Sequence, residues 1–497
     1  MSEHDAIIIG CIGAYLVFCV AIGLWAMGRT HDSRDFFAAG RSLGPLVTSV
    51  AVFSSMMSGF GFVGGPGLVY LMGMSSVWIV LTTVTGYTLA FVLLAKPMRM
   101  LAELYDAISL PDLVAVRYSS ETARLLTAIT IVLGVMGFLA SQILAMGNVL
   151  EQILARADLF GSPGIATCTI VAASFLILYC TTGGIIAGVY TDLVQGIIMV
   201  VAGVLVFLTA QGSFEGGFSG MSTTLLADDP ESIGTWGSLG MIGCLSWFLL
   251  FLLGTAGQPH VITKFMMMRR LSDVRWTLPM ALAGHMFSAL LWVSIGLSMR
   301  ALVLNGDLPA LASPDAASPI FLYQYAYPAL AGLVFAGLFA AIMSTSDSFL
   351  NIAAAAVVHD LPRALFGRTL GNELFWARVA TVGVALLATG FALFSHFQNA
   401  RLVALLAVFG GATFAGALVP AVAIGFRWRR ATPAAACWAI ATSLTLNLGF
   451  EVLGIALPYG IQPGLVALLA SLLLFFTLSF AQPAPKVVDD VEAILDA

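Results

Sequence analysis

Apolar runs free of charge recur along the whole chain, at residues 6–28, 42–95, 125–150, 159–191, 193–214, 232–263, 276–299, 316–346, 379–400, 402–426, 431–450 and 452–485. Roughly 20 apolar residues carry a helix across the hydrocarbon of a bilayer, so each run predicts a membrane span. The 42–95 run holds two spans divided near Gly73–Ser76, and a short turn at Thr181–Gly184 separates the two helices around Asp192. About thirteen helices result. The expected fold class is an all-α integral membrane protein, a single transmembrane domain over residues 1–497.

Composition closes off the alternatives. Only 9 % of residues are charged, 60 % are hydrophobic, and the mean hydropathy is +0.98. An ordinary soluble domain carries about 25 % charge, so a soluble enzyme, a disordered chain and a secreted disulfide scaffold are all excluded. The six cysteines sit in apolar runs without metal-type spacing and read as small core residues. The first run is flanked by Glu3 and Asp5 rather than by the basic start of a signal peptide. Net charge of −5 says less than its distribution. With thirteen spans and the N-terminus outside, 18 of the 21 lysines and arginines fall on the inner side, among them Lys96, Arg99, Arg117, Arg124, Lys264 and Arg427. That is the bias of cytoplasmic loops, and it puts the C-terminal tail, 482–497, in the cytoplasm.

Two spans are not plain helices. Ser58–Gly67 reads SGFGFVGGPG and Gly254–His260 reads GTAGQPH. Glycine costs about 1 kcal/mol and proline about 3 in a helix interior, so both spans are expected to break. Unwound backbone at membrane depth survives where it lines a cavity. Paired interruptions at corresponding places in two halves point to a transporter's binding site. Five spans separate the breaks, which predicts two inverted five-helix repeats at 45–210 and 233–427, an extra helix at 5–28 in front, and two C-terminal helices at 431–481.

Polar residues inside the spans sharpen this. In Ala340–Ser348, within a helix expected over 316–358, Ala341, Ser344, Thr345 and Ser348 share one helical face. Its hydroxyl and carbonyl oxygens suit a hard cation. Asp192 and Asp347 are the carboxylates expected deepest in the bilayer, where an acid faces a cavity, a cation or a proton path. No lysine or arginine is expected beside them, so either one is protonated or a cation sits between them. His260 and His285 read as packed hydrogen-bonding residues, and Glu451 as wetted at an outer end. No HExxH, GxSxG, Walker loop or CxxC pair is present, so no enzyme is expected.

At these residues the chain resembles the sodium/solute symporter family. The segments that carry the likeness are Gly40–Gly44 leading into Met57-Ser58-Gly59 and Gly64–Gly67; Gly183-Gly184-Ile185 with Tyr190-Thr191-Asp192 and Gln195; Gly257–His260 with Lys264–Met266; and Ala340–Thr345. The resemblance implies a leucine-transporter-type fold and sodium-driven uptake of a small organic solute. It implies a principal sodium held by carbonyls of Ser54, Met57 and Ala341 and hydroxyls of Ser344 and Thr345. A second cation would lie among Asp192, Thr345, Asp347 and Ser348. GQPH resembles the proline branch and FVGGPG the pantothenate branch. Met56 stands where proline-type members carry an aspartate, and Asn148 where several branches carry an arginine. A solute carboxylate would then rely on half-helix N-termini or on the sodium. Ser58, Phe60, Gln142, Phe251, Thr255 and Pro259 are the cavity candidates. Proline or another amino acid is the expected solute, with pantothenate or another monocarboxylate as the alternative. A channel and a nutrient sensor are the rival classes. Paired asymmetric breaks without repeated pore loops speak against the first, and a tail of 16 residues leaves no room for a kinase domain. Sodium, the solute and the lipid bilayer are the expected partners, without nucleic acid or organic cofactor; oligomeric state is not legible.

Overall fold

A computed structural model describes residues 2–28, 36–37, 43–158, 160–161, 163–399, 403–486 and 488–496. Gly40, Arg41 and Ser42 of the first family-like segment, and Arg29, Arg34 and Arg401, lie outside the described residues. The described chain is helical, without strands, and eleven helical stretches are long and apolar enough to cross a membrane. Two shorter apolar helices, Pro45–Ser55 and Ile165–Thr181, accompany them. Length alone therefore does not return the expected thirteen.

Helix α1 (Glu3–Met27) opens on a capping box between Ser2 and Asp5. Helix α2 (Pro45–Met56) stops at Met57, whose ψ of 78° leaves the helical region. The chain resumes as a π-helical turn at Phe60–Gly64 and as α3 (Gly65–Met72). Gly73, at φ +59°, then turns into α4 (Val77–Ala90), and α5 (Lys96–Leu104) follows. A short α6 (Leu110–Tyr118) precedes α7 (Glu121–Arg156). In the second half, α10 (Gly240–Thr255) ends at Ala256–Gln258, and α11 (Pro259–Met267) restarts on proline. Proline suits the first helical position, where its missing N–H would have had no partner.

The two broken helices lie antiparallel, tied at both ends. At the start of α2, Leu43 forms an isolated bridge with Met268 beyond the end of α11, and Arg269 N donates to Leu43 O at 2.9 Å. Beyond the end of α3, Met74 N donates to Ser232 O at 2.8 Å, and Ser75 Oγ donates to Trp236 O at 3.0 Å just ahead of α10. A pair of helices with opposite directions and mid-membrane breaks is what inversion of two repeats produces.

Two expectations about spans change. The turn at Thr181–Gly184 does not interrupt the helical hydrogen-bond pattern, which runs unbroken through α8 (Ile165–Gly212). The helix is nevertheless bent there, because Tyr179 Oη and Thr191 Oγ1 lie 2.7 Å apart, whereas residues twelve apart in a straight helix are about 18 Å apart along the axis. The 316–358 helix is two helices, α13 (Ala317–Tyr325) and α14 (Pro328–Ala355). Pro328 is the cause, since it pushes the preceding Tyr327 out of the helical region to ψ 147°. Between these lie α9 (Gly217–Asp228) and α12 (Val274–Leu304); a π-helical turn at Ala356–Asp360 and α15 (Leu361–Phe366) extend α14. Then follow α16 (Glu373–Asn399), α17 (Val403–Leu418), α18 (Pro433–Val452), α19 (Pro463–Ala481) and α20 (Asp489–Asp496). The tail is not a free end: Val491 and Ile494 are buried, and Glu492 pairs with Arg429 at 2.9 Å.

A polar staple closes one end of the bundle. Asp112 of α6 pairs with Arg124 of α7 and with His359 Nε2 at 3.2 Å, while His359 Nδ1 meets Glu373 of α16 at 3.1 Å. Ser109 Oγ donates to Asp360 at 2.7 Å. Burial alone would raise the Asp112 carboxyl, but His359 and Arg124 outweigh it and hold it well below the usual carboxylate range.

Candidate functional site

The site forms where the α2 break meets the middle of α14. Thr345 Oγ1 donates to Ser55 O at 3.0 Å and to Ala341 O at 2.9 Å. Ser54 Oγ and Ser344 Oγ are 3.1 Å apart, and Ser348 Oγ lies 3.4 Å from Ser55 Oγ. Of the predicted principal cation residues, Ser54 and Ser344 therefore meet across two helices, and Thr345 meets Ser55, the neighbour of Ser54. Ser54 lies in the last turn of α2 and Met57 is the residue at which it stops, while Ala341, Ser344 and Thr345 share one face of α14. Uncharged oxygens gathered at unwound backbone fit a monovalent hard cation.

Asp192 of α8 comes to the same place. Ser344 Oγ donates to its Oδ1. The expectation that no cation lies nearby is overturned. Lys264, counted above as an inner-loop residue, is 1 % exposed, and its Nζ lies 3.6 Å from Asp192 Oδ2. It also donates to Ala51 O at 2.6 Å and to Ser55 Oγ. The apolar run ends at Lys264 in the sequence, yet α11 packs that side chain back against α2. Asp347 has different partners. It lies beside Cys180, and its Oδ2 sits against Gly188, where a Cβ would overlap it. Among the described residues, Asp347 Oδ2 has no hydrogen-bond partner. Gln195 of the Thr191-Asp192 segment anchors α1 through Tyr15 Oη at 2.6 Å.

Beside this cluster lies a narrow cavity of about 70 Å³. Four of the six solute candidates line it: Ser58, Phe60, Phe251 and Thr255. The other two do not. Gln142 Oε1 accepts from Gly59 N at 2.6 Å, so it caps the broken backbone, and Pro259 starts α11 behind the wall. Residues that sequence reasoning left out complete the lining, notably Phe138, Gln258, His285, Trp292 and Phe349. His285 and Trp292 are seven apart on α12, a spacing that puts both on one face; nothing in the sequence tells which face meets the cavity. Phe60 packs edge-on to Trp292 at 5.3 Å, and Phe251 stacks on Trp247 at 5.7 Å. Among the described residues, no lysine or arginine lines the cavity. Ser55 and Thr345 belong both to its wall and to the cation cluster.

Residues 36–442 match the sodium:solute symporter family. The chain is 28 % identical over 428 residues to the osmoregulated proline transporter OpuE of Bacillus subtilis, covering 85 % of this chain and 84 % of that one. It is 30 % identical over 437 residues to the sodium/proline symporter of Escherichia coli, covering 84 % and 82 %. Among solved structures it is similar to a substrate-bound, outward-open Na⁺-coupled sialic acid symporter, with a TM-score of 0.80, 18 % identity and coverage of 97 % and 99 %. It is also similar to a nucleobase-cation-symport-1 family transporter in a closed conformation, with a TM-score of 0.59, 13 % identity and coverage of 93 % and 98 %. At such identities the two structures speak for the fold.

Proposed function

This chain belongs to the sodium:solute symporter family, and on that premise we propose that it imports L-proline, or another small amino acid, together with sodium. It is a carrier rather than an enzyme, and sodium is its coupling ion. The principal sodium is held by the carbonyls of Ser54, Met57 and Ala341 and the hydroxyls of Ser344 and Thr345. A second cation sits among Asp192, Thr345, Asp347 and Ser348. The repeats span 45–210 and 233–427, with the N-terminus outside and the C-terminus in the cytoplasm of a cell-membrane protein.

One observation carries the coupling: Thr345 and Ser55 touch at 3.0 Å and both face the solute cavity. An ion that pins α14 to the α2 break also sets that part of the cavity wall. Ion binding therefore raises solute affinity, and solute binding raises ion affinity by the same factor. Much of the rest of the wall is apolar, with Phe60, Phe138, Phe251, Trp292 and Phe349 among its aromatic members, and suits the hydrocarbon ring of proline.

Proteoliposomes loaded with potassium and diluted into sodium test this. Labelled L-proline should accumulate above its external concentration, and the accumulation should collapse when the sodium gradient is dissipated. Uptake that is equal with sodium or potassium outside refutes the coupling. Sodium-driven accumulation of pantothenate or another monocarboxylate in place of proline refutes the solute assignment alone.

A further inference from the structure

Building on the reading that the solute is an amino acid carried with sodium, we infer that α12 supplies its polar recognition: His285 and Trp292 are specificity-determining residues that hydrogen-bond the solute's carboxylate. Both are 3 % exposed and both line the cavity. Among the described residues, Trp292 Nε1 and both ring nitrogens of His285 lack any hydrogen-bond partner, and so does Gln258 Oε1 on the facing broken helix. Buried polar groups are almost always paired. Three such residues around one cavity mark the places where a ligand completes the pairing.

Several other donors at this wall are already used. Phe60 N donates to Ser58 Oγ at 3.1 Å, Thr255 Oγ1 to Phe251 O at 2.7 Å, and Thr83 Oγ1 to Ile79 O at 2.8 Å. The backbone at the breaks is likewise occupied, with Gly59 N on Gln142 Oε1 at 2.6 Å and Gly257 N on Gly254 O at 2.9 Å. A carboxylate entering the cavity therefore meets the indole N–H of Trp292 and an imidazole N–H of His285. Gln258 Oε1 is left to accept from the solute's ammonium.

The first break is shaped around this indole. Gly61 and Gly65 lie four apart in its glycine-rich stretch, so they share a face. A Cβ on Gly65 would press into the Trp292 ring at 2.5 Å, and one on Gly61 would come within 3.6 Å of Nε1. The glycines cradle the ring that Phe60 meets edge-on. Neutral donors recognise the carboxylate, and the neighbouring sodium supplies the positive charge.

The test uses the full chain in nanodiscs with saturating sodium. Labelled L-proline is displaced by carboxylate-bearing competitors (L-proline, cyclopentanecarboxylate) and by competitors without a carboxylate (L-prolinamide, pyrrolidine). Wild type should prefer the carboxylates at least tenfold. Trp292→Phe and His285→Phe keep a ring while removing the N–H groups, and each should cut that preference at least tenfold while the sodium concentration for half-saturation stays within about twofold. An unchanged preference in both variants, or equal weakening of both competitor classes, overturns the assignment and leaves these residues as packing. If another labelled amino acid or monocarboxylate binds where proline does not, the proline reading fails, and the same ratio against its amide decides the α12 assignment. A wild type that binds no carboxylate, neither of this panel nor among the other labelled candidates, overturns it outright.

Discussion

Replacing Lys264 with methionine keeps a flexible side chain of similar length and deletes the charge. In the folded protein the ammonium faces Asp192 at 3.6 Å, an attraction of about 4–5 kcal/mol at an effective dielectric of about 20. It also satisfies Ala51 O and Ser55 Oγ. Asp192 is 1 % exposed and would be left with the Ser344 hydroxyl. Removing one partner of a buried pair costs about 3–5 kcal/mol, chiefly because the remaining charge is uncompensated. A cation that binds beside Asp192 restores the compensation. Lys264→Met should therefore melt well below wild type in sodium-free choline buffer, and sodium should raise its melting temperature far more than it raises that of wild type. The Asp192→Asn/Lys264→Met double variant should recover most of the lost stability and lose the extra sodium response, since the two sites share one interaction. Thermal unfolding of purified protein across a sodium titration reads all three. A single variant as stable as wild type without sodium, or equally insensitive to it, refutes the pairing.

Other residues of the site and the staple give independent checks. Ser344→Ala deletes the hydroxyl between Ser54 and Asp192; it should raise the sodium concentration for half-maximal uptake about tenfold, worth 1.4 kcal/mol, in a protein that still folds, and unchanged sodium dependence refutes its role. Asp347→Asn should lower the Hill coefficient for sodium toward one if Asp347 helps to hold a second cation, whereas a lost pH dependence would indicate proton coupling; retention of both wild-type responses makes the residue structural. Asp112 is depressed in the folded protein, so its stabilising effect is complete above its unfolded value of about 3.9 and drains away as the pH falls toward the folded one. Asp112→Asn should therefore melt lower than wild type at pH 7 and show a flatter loss of stability between about pH 5 and pH 3, and parallel curves refute the staple.

What was legible in the sequence follows from which forces are local. The spans emerge because the bilayer demands unbroken apolar length, and the two breaks because the glycine-rich stretch that starts at Gly59, and Gly257-Gln258-Pro259, weaken a helix through backbone terms. The first break nevertheless falls at Met57–Gly59, and the glycines after it are helical. The 3.6-residue period placed Ser344 and Thr345 on one face before any neighbour was known. Pro328 was legible too, and the break it makes at Tyr327 was missed because the apolar run continues across it. Lys264 was hidden for the opposite reason. A charge at the edge of an apolar run reads as a boundary, but a lysine stem is long enough to return its ammonium several ångströms along the helix. Whether it turns outward to water or inward to Asp192 depends on α2, more than 200 residues away.

The same non-local packing decides how ion and solute communicate. Ser55 carries four relations at once: its carbonyl accepts from Thr345, its hydroxyl meets Lys264 and Ser348, and its side of α2 faces the cavity. No chain of intermediates is needed between the two sites, because one residue at the end of a broken helix belongs to both. An intact helix at this point would bury its carbonyls in its own hydrogen bonds and offer neither site an oxygen. Glycine at 59 makes the break affordable in space as well as in propensity, since a Cβ there would press on Ala145 and Ile342 of the helices that hold it. On the proposed function the break is thus the device by which α2 touches ion and solute together, and any substitution that repairs it should uncouple them.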